Sequence, residues 1–285
     1  MPIDAQTRLI LLLGDPVAHS LSPLIHNAAF RAHGLNWLYK AIPVSSTGLA
    51  AAVQALHAPS MVGANVTIPH KQSILPLMDT LSPHAEIVGA VNTIVCRREE
   101  GAVRLHGDNT DVAGFLSPLS PYADRLHGAP MLVFGAGGAA RAVIYALLST
   151  YSPARLTVAV RSPERATTLR DAFEHVGPGV EILSMTRAAR RVRESRLIVN
   201  ATPVGMHPNI DQTPWSLHGV FPAGKIVYDL IYAPERTRLL IEAEAAHCAT
   251  IGGLEMLIAQ AAAAYVQWTG QPMPVEAVRL ALKSR

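Results

Sequence analysis

The stretch MLVFGAGGAAR, residues 131–141, decides the fold of the second half of the chain. It places four apolar residues before a glycine-rich turn and an alanine-rich segment that is typical of a helix. In a dinucleotide-binding fold, Gly135 permits the tight turn, Gly137 lets the backbone approach a pyrophosphate, and Ala140 keeps helix and sheet close. The N–H groups that open the helix then bind the anion. We therefore predict a Rossmann-type unit here, with a plain strand-to-helix turn as the alternative.

Short apolar runs and helix-like stretches alternate on both sides of this turn, which favours parallel sheets covered by helices. The predicted strands are RLILLLG, WLYKAIPV and MVGANVTI before the turn, and RLTVAV, VEIL, RLIVNAT and KIVYDL after it. The predicted helices include PLIHNAAFRAHG, a helix opening at Pro69, SPERATTLRDAFEHV and the residues from 253 to 282. Two α/β units are expected, joined through a turn-rich region at residues 108–130.

Composition excludes several classes of protein. A chain of 285 residues, 49% of them hydrophobic, is long enough for two folded domains. Its charged fraction of 16% and net charge of +3 give no dense basic surface, so we expect no nucleic-acid or membrane partner. Cys96 and Cys248 stand far apart, and the twelve histidines show no metal-ligand spacing. We therefore expect no disulfide, no metal and a reducing, cytoplasmic environment.

The end of the strand after the glycine turn indicates which nicotinamide nucleotide binds. NAD-binding units carry an acidic residue there, which hydrogen-bonds to the ribose hydroxyl. This sequence has none, and Arg161 and Arg165 lie four residues apart beside Ser162-Pro163, the expected start of a helix. Two guanidinium groups and a helix terminus suit a 2′-phosphate. The sequence thus favours NADP over NAD, although both arginines can simply be solvated.

Lys71 and Asp111 are the candidates for proton transfer. An enzyme that moves a hydride to or from an alcohol carbon must also move the hydroxyl proton. Lysine can exchange a proton, whereas arginine stays protonated, and the chain has only four lysines. Lys71 follows the predicted strand in GANVTIPHK, and ligands bind beyond the carboxyl ends of parallel strands. Asp111, in HGDNTDVAGF, is the expected companion; the alternative is that Asp111 or Thr110 only caps a helix.

Eight sequence blocks, in order along nearly the whole chain, resemble the shikimate dehydrogenase family and the related quinate/shikimate dehydrogenases. These blocks are GDPVAHSLSPLIHNAAF, GANVTIPHK, GAVNTI, GDNTDVAGF, GAGGAARA, NATPVGM, YDLIYAPERTRLL and GGLEMLIAQAAAAYVQWTG. The resemblance implies reversible, NADPH-dependent reduction of 3-dehydroshikimate to shikimate in aromatic amino-acid biosynthesis. Open alternatives are a quinate/shikimate dehydrogenase that accepts NAD, a dehydrogenase for a related cyclic hydroxy acid, and a cofactor-sensing regulator without turnover.

The resemblance also implies roles for individual residues. Lys71 and Asp111 are the catalytic pair, treated as one coupled unit. Expected substrate contacts are Ser20, Ser22, Thr67 and Tyr232 for the carboxylate, and Asn92 and Gln260 for ring hydroxyls. Expected cofactor contacts are Gly135, Ala136, Gly137, Gly138, Ala139, Arg161, Arg165, Thr202, Met206 and Gly253. Taken singly, Ser22-Pro23 also reads as a helix start, Tyr232 as core and Gln260 as a surface amide.

The family pattern further implies a discontinuous substrate-binding domain, residues 1–110 with 254–285, and a Rossmann-type NADP-binding domain, residues 111–253. It places an active-site cleft between them, with the protein a monomer or homodimer. One departure stands out: Val160-Arg161-Ser162 replaces the family's usual Asn-Arg-Thr, so an amide contact near the adenosine is missing. The arginine stays, and NADP remains the expected cofactor.

Overall fold

The chain separates into two compact units, each built on one six-stranded sheet. The structure is a computed structural model that describes residues 3–99, 101–177, 179–214 and 221–284, except for the side chains of Arg165 and Thr167. Unit 1 comprises Met1–Thr110 and Ile258–Arg285, and unit 2 comprises Asp111–Leu257. None of the helices in the described ranges combines the length and the apolarity needed to cross a lipid bilayer.

Unit 1 holds a mixed, mostly parallel sheet. Its strands are β1 Arg8–Gly14, β2 Trp37–Pro43, β3 Met61–Val66, β4 Thr80–Leu81, β5 Thr93–Glu99 and β6 Ala102–Asp108, in the order β2-β1-β3-β5-β6-β4. Its helices are α1 Ser22–Ala32, α2 Leu49–Ala55, α3 Pro83–Val88 and, near the C-terminus, α11 Val275–Lys283. Strand β5 runs antiparallel to both β3 and β6, while the pairs β1–β2, β1–β3 and β4–β6 are parallel.

Strand β1 is apolar from Leu9 to Leu13 because it is an inner strand of the sheet, covered on both faces. Leu11 and Leu13 pack into one core cluster with Val66 and Ile94. The alternate residues, such as Ile10, are also buried. The short run that opens the sequence is thus a core strand, as predicted.

Unit 2 holds a fully parallel sheet. Its strands are β7 Met131–Phe134, β8 Leu156–Val160, β9 Val180–Ser184, β10 Leu197–Asn200, β11 Ile226–Asp229 and β12 Ala249–Ile251, in the order β12-β11-β10-β7-β8-β9. Its helices are α4 Asp111–Leu116, α5 Ala123–Leu126, α6 Gly138–Tyr151, α7 Thr167–Ala172, α8 Ala189–Glu194 and α9 Arg238–Ala245. Helix α10, Gly253–Thr269, starts in unit 2 and ends in unit 1.

The strand order of unit 2 reverses between β7 and β10. The first three strands run outward on one side of this point, and the last three on the other, which is the doubly wound Rossmann arrangement. Ligands of such sheets bind at the carboxyl ends of the strands beside the reversal. A ligand of unit 2 is therefore expected at the turn after β7 and the loop after β10.

One predicted helix is wrong, and another begins later than predicted. The segment after Pro69 forms turns and a three-residue 3-10 helix, Leu75–Leu77, because Pro76 has no N–H to donate along an α-helix and disfavours helical backbone at the residue before it. The helix expected at Ser162-Pro163 begins instead as a 3-10 turn, Pro163–Arg165, and α7 starts only at Thr167. Ser162 makes no capping hydrogen bond that would start an α-helix earlier.

The hairpin of β5 and β6 and the short strands β4 and β12 are not among the predicted strands. The hairpin strands carry many polar residues, as in Arg97 and Arg98, so their pattern did not stand out as apolar. Gly101, with φ +85°, supplies the left-handed backbone of the turn between them. This hairpin brings Asn92 and Asp108 to the same edge of the sheet.

Candidate active site

Five of the predicted site residues follow or precede strand ends on one edge of the unit 1 sheet. Ser20 and Ser22 follow β1, Thr67 and Lys71 follow β3, and Asn92 immediately precedes β5. Because β5 is antiparallel to β3, its start lies beside the end of β3. The structure thus brings these residues to a common edge, the one at which ligands of α/β sheets bind.

The loop that carries Lys71 is fixed by bonds to its neighbours. The Thr67 N–H donates to Leu13 O at 2.9 Å, and the Asp15 N–H donates to Ile68 O at 2.9 Å. On the other side, the Val91 N–H donates to Lys71 O at 2.7 Å. The buried His70 ring donates through Nε2 to Val44 O at 2.6 Å. The half-buried Lys71 side chain therefore projects from a well-held backbone.

The side-chain amide oxygen of Asn92 accepts hydrogen bonds from within the protein. Its Oδ1 accepts hydrogen bonds from Thr110 N at 2.8 Å, Thr93 Oγ1 at 2.9 Å and Thr110 Oγ1 at 3.1 Å. A ligand oxygen at this side chain would therefore be met by the donor Nδ2. Behind it, Asn65 Nδ2 donates to Asn92 O at 3.0 Å, and Tyr39 donates its hydroxyl to Asn65 Oδ1 at 2.7 Å.

Helix α1 presents its N-terminus at the same edge. Ser22 is its first residue. The N-cap residue Leu21 has no capping side chain, but Ser20 Oγ accepts from the Ser22 N–H at 3.2 Å. The dipole of this eleven-residue helix favours an anion, although Pro23 has no N–H and the Ser22 and Ile25 N–H groups already donate within the protein. Two serines at such a terminus suit a carboxylate.

Asp111, Gln260 and Tyr232 lie elsewhere in the two units. Asp111 is the first residue of α4 and is 5% exposed; an acidic residue there also stabilises the helix through its dipole. Gln260, on α10, is buried, unlike a surface amide. Tyr232 is half-buried in the loop after β11. The catalytic and binding roles of all three stay predictions.

The glycine turn after β7 has the geometry that a dinucleotide requires. Gly135 has φ +107°, and a Cβ there would lie 2.9 Å from Ala201 O and 3.0 Å from Thr202 Cγ2. Gly137, by contrast, has open space around the position of a Cβ. It precedes the fourteen-residue helix α6 without a side-chain cap, and Gly138 and Ala139 form the first turn. Together with Ala136, the turn fits a pyrophosphate against uncapped N–H groups.

The predicted 2′-phosphate contacts follow β8. Arg161 is exposed directly after Val160, the last residue of this strand. The Arg165 side chain lies outside the described part of the structure. Since the segment after Ser162 is a 3-10 turn, the α-helix terminus expected beside the phosphate is absent there. The predicted role of Arg161 at a 2′-phosphate therefore depends on its charge alone and stays a prediction.

Two polar residues that sequence analysis did not single out organise the loops after β10 and β11. Asn200 Oδ1 accepts from both the N–H and the hydroxyl of Thr202, at 3.0 and 2.7 Å. Asn200 Nδ2 donates to Asp229 Oδ1 at 3.0 Å. Burial raises the pKa of Asp229 to about 6. The signal was available: each is a polar residue that ends an apolar strand, in RLIVNAT and KIVYDL.

Met206 and Gly253 complete the predicted cofactor set. Met206 is 44% exposed in the loop after β10. Gly253 opens α10, and its N–H donates to Ile231 O at 3.2 Å. A Cβ at Gly253 would lie 2.2 Å from Leu230 O, so only glycine permits this approach to the loop after β11.

Comparison with known proteins identifies the family. Models for the shikimate dehydrogenase substrate binding domain, shikimate / quinate 5-dehydrogenase and the shikimate 5′-dehydrogenase C-terminal domain match residues 12–94, 120–211 and 253–283. A shikimate dehydrogenase (NADP(+)) of Salinibacter ruber is 56% identical over 288 aligned positions, covering 100% of both chains. The chain belongs to the shikimate dehydrogenase family.

Solved structures of family members share its architecture. A shikimate dehydrogenase crystallised with NADP+ is 37% identical, with a TM-score of 0.89 and coverage of 99% of this chain and 97% of that one. A quinate dehydrogenase of Corynebacterium glutamicum in complex with NAD is 31% identical, with a TM-score of 0.86 and coverage of 98% and 99%. The predicted family and fold class are confirmed. The described residues contain no group of three His, Cys, Asp or Glu that suits a metal ion.

Proposed function

We propose that this protein is an NADP-dependent shikimate dehydrogenase, which reversibly reduces 3-dehydroshikimate to shikimate in aromatic amino-acid biosynthesis. The observation that carries the proposal is the position of Lys71 in the loop after β3, at the sheet edge where Ser20, Thr67 and Asn92 also lie. The dinucleotide turn of unit 2 supports it, as does full-length identity of 56% to a protein named for this activity.

When bound, NADP supplies or accepts the hydride. The backbone from Gly135 to Ala139 would hold its pyrophosphate, because the turn leaves space beside the uncapped start of α6. Arg161, with Arg165, would hold the 2′-phosphate by charge. Thr202, Met206 and Gly253 would line the nicotinamide end.

The substrate carboxylate would bind where α1 begins. Ser20, Ser22 and Thr67 offer hydroxyl donors on one edge of the unit 1 sheet, and the helix dipole adds a favourable field. Tyr232 would add a fourth hydroxyl. Asn92 would donate from Nδ2 to a ring hydroxyl, since its Oδ1 is already occupied by Thr93 and Thr110. Gln260 would bind a further hydroxyl.

Lys71 and Asp111 would move the proton. In the reducing direction, the Lys71 ammonium donates a proton to the carbonyl oxygen as the ring carbon receives the hydride. In the oxidising direction, the same amine takes the hydroxyl proton. Asp111 would orient the amine and keep a counter-charge nearby, so that the two groups act as one unit.

The test is a matrix of initial rates, with shikimate and quinate each measured against NADP+ and NAD+. The proposal expects the highest kcat/KM for shikimate with NADP+. Lys71→Ala should then lower kcat by roughly a hundredfold or more, the scale of general acid–base catalysis, with a smaller effect on KM. Lys40→Ala, which removes an exposed lysine from β2, is the matched control. A near-normal kcat in Lys71→Ala would refute the assigned role.

A second candidate is a quinate/shikimate dehydrogenase that accepts NAD. It is favoured by Val160 in place of the usual asparagine, and by the likeness to the Corynebacterium glutamicum quinate dehydrogenase in complex with NAD. Higher kcat/KM for quinate, or equal use of the two nucleotides, would select it.

We further propose that residues 1–110 with 254–285 bind the substrate, and that residues 111–253 bind NADP. A cytoplasmic location is supported by the two free cysteines, Cys96 and Cys248, which suit a reducing compartment. The protein would be a monomer or homodimer whose ligands are small molecules, with no nucleic-acid or membrane partner. Light scattering after size-exclusion chromatography measures the oligomeric state.

A further inference from the structure

Asp229 is a fully buried carboxyl at the end of β11, and it forms no ion pair within the described part of the chain. Instead it accepts three hydrogen bonds, from Thr237 Oγ1 at 2.7 Å, Asn200 Nδ2 at 3.0 Å and the Ile231 N–H at 3.1 Å. Burying a carboxyl without a cation is unfavourable, and burial accordingly raises its pKa to about 6. Stability alone therefore does not explain this residue.

The bond from Asn200 leads to the loop after β10. Asn200 holds that loop through Thr202 and through Nδ2, which also donates to Val204 O at 3.2 Å. The Thr202 hydroxyl in turn accepts from the Val204 N–H at 3.2 Å. This folded loop places Ala201 O against Gly135, in the glycine turn.

The other two bonds lead to the loop after β11 and to α9. The Ile231 N–H fixes the backbone just before Tyr232, and Ile231 O accepts from the Gly253 N–H that opens α10. Thr237 is the N-cap of α9, where its hydroxyl also accepts from the Leu240 N–H. One carboxyl thus joins the segments that carry Thr202, Met206, Tyr232 and Gly253.

We propose that Asp229 is a positioning residue, which holds the loops after β10 and β11 in the arrangement that binds the nicotinamide nucleotide. It acts through Asn200, Ile231 and Thr237 and does not itself contact the ligand. The inference rests on the function proposed above.

The test compares Asp229→Ala, Asp229→Asn and Val227→Ala in the full-length protein. Val227 lies two residues earlier on the same face of β11 and is fully buried in the core, so its truncation weakens the same strand but leaves the loop bonds. Asparagine at 229 still accepts from Asn200 and Ile231, and its Nδ2 can donate to the Thr237 hydroxyl. Each variant is measured for NADPH affinity by fluorescence titration, for kcat and KM of each substrate, and for melting temperature without ligand.

Asp229→Ala should lower kcat/KM for NADP+ by about a hundredfold, the effect of misplacing reacting groups by an ångström. Among variants with similar melting temperatures, Asp229→Ala should weaken NADPH binding more than Val227→Ala does. Asp229→Asn should retain most of the wild-type affinity. Equal NADPH affinity in Asp229→Ala and Val227→Ala, or no rescue by asparagine, would overturn the proposal.

If Asp229→Ala does not fold, Thr237→Val takes its place, because it removes one of the three bonds and keeps the branched shape. Unchanged NADPH affinity in that variant overturns the proposal in the same way. Failure of the positioning role can be distinguished from failure of the proposed function. If the wild-type protein binds NADPH but does not oxidise shikimate, only the proposed function is contradicted.

Discussion

Gly135 and Gly137 make a matched pair of substitutions that separates folding from cofactor binding. In Gly135→Ala, the new Cβ would lie 2.9 Å from Ala201 O, and the residue would have to adopt φ +107°. In Gly137→Ala, φ stays at −76°, which alanine adopts without strain, and no protein atom lies within 4 Å of the Cβ. The two changes add the same methyl group two residues apart.

The expected magnitudes differ because the environments differ. A non-glycine residue held at a backbone conformation of this kind costs about 1–3 kcal/mol, and the contact with Ala201 O adds to that. A loss of about 2 kcal/mol corresponds to a melting temperature roughly 4–8 °C lower for a unit of this size. In Gly137→Ala, a poorer N-cap and a less flexible unfolded chain oppose each other, so stability should stay within about 1 kcal/mol.

For NADPH binding, Gly137→Ala is the substitution with the direct effect. The Cβ of Gly137→Ala occupies the space that a pyrophosphate needs, so NADPH affinity should fall roughly tenfold or more, about 1.4 kcal/mol, in a protein of normal stability. Differential scanning fluorimetry without ligand and fluorescence titration with NADPH measure the two effects. The reasoning is refuted if Gly135→Ala melts with the wild type, or if Gly137→Ala binds NADPH as tightly as the wild type.

Two buried groups give further predictions. Burial lowers the pKa of His26 from 6.5 to about 3, so the folded state resists protonation, and stability present above pH 6.5 is lost as pH falls toward 3. At pH 5 the loss is about 2 kcal/mol, 1.36 kcal/mol for each of about 1.5 pH units. Other groups, such as Asp229, contribute the same pH dependence to all variants, so the His26 effect is the difference between them. In urea unfolding at pH 7.5 and 5, wild type and the exposed-site control His57→Gln should lose about 2 kcal/mol more than His26→Leu as pH falls; equal pH dependence in all three would contradict this. The Tyr228 hydroxyl is buried and finds no hydrogen-bond partner in the described residues, while its ring stacks on Phe115 at 5.0 Å. Tyr228→Phe keeps the stacking and removes an unpaired group, so unfolding free energy should be unchanged or about 1 kcal/mol higher; a clear loss of stability in the same urea titration would count against this.

Local patterns made the architecture predictable. The glycine turn at Gly135 is dictated by its own backbone, and the apolar run of β1 by its central position in the sheet, so each is visible in a few consecutive residues. The helix predicted after Pro69 does not form although its pattern is typical of a helix, because Pro76 lacks the N–H that an α-helix would use there. Strand β12 escaped notice because it has only three residues.

Contacts between distant residues were not predictable. Asn200 and Asp229 are 29 residues apart, and Tyr39 and Asn65 are 26 apart. Nothing in the sequence shows that these side chains meet, since the meeting depends on strand order and register. That Ser20, Thr67, Lys71 and Asn92 lie on one sheet edge likewise follows only from the strand order, which the sequence does not show.

The same sequence signal nevertheless occurs in both units. Asn65, Asn200 and Asp229 each lie at or next to the last residue of an apolar, buried strand, and each is itself buried. Burying a polar group is unfavourable unless hydrogen bonds compensate. Here the bonds lead from Asn65 to Asn92, just before β5, and from Asp229 through Asn200 to Thr202, in the loop after β10. An apolar strand that ends in a buried amide or carboxyl therefore marks the edge where loops must be held in one conformation. In this chain both such edges are the ones that carry the proposed ligand contacts.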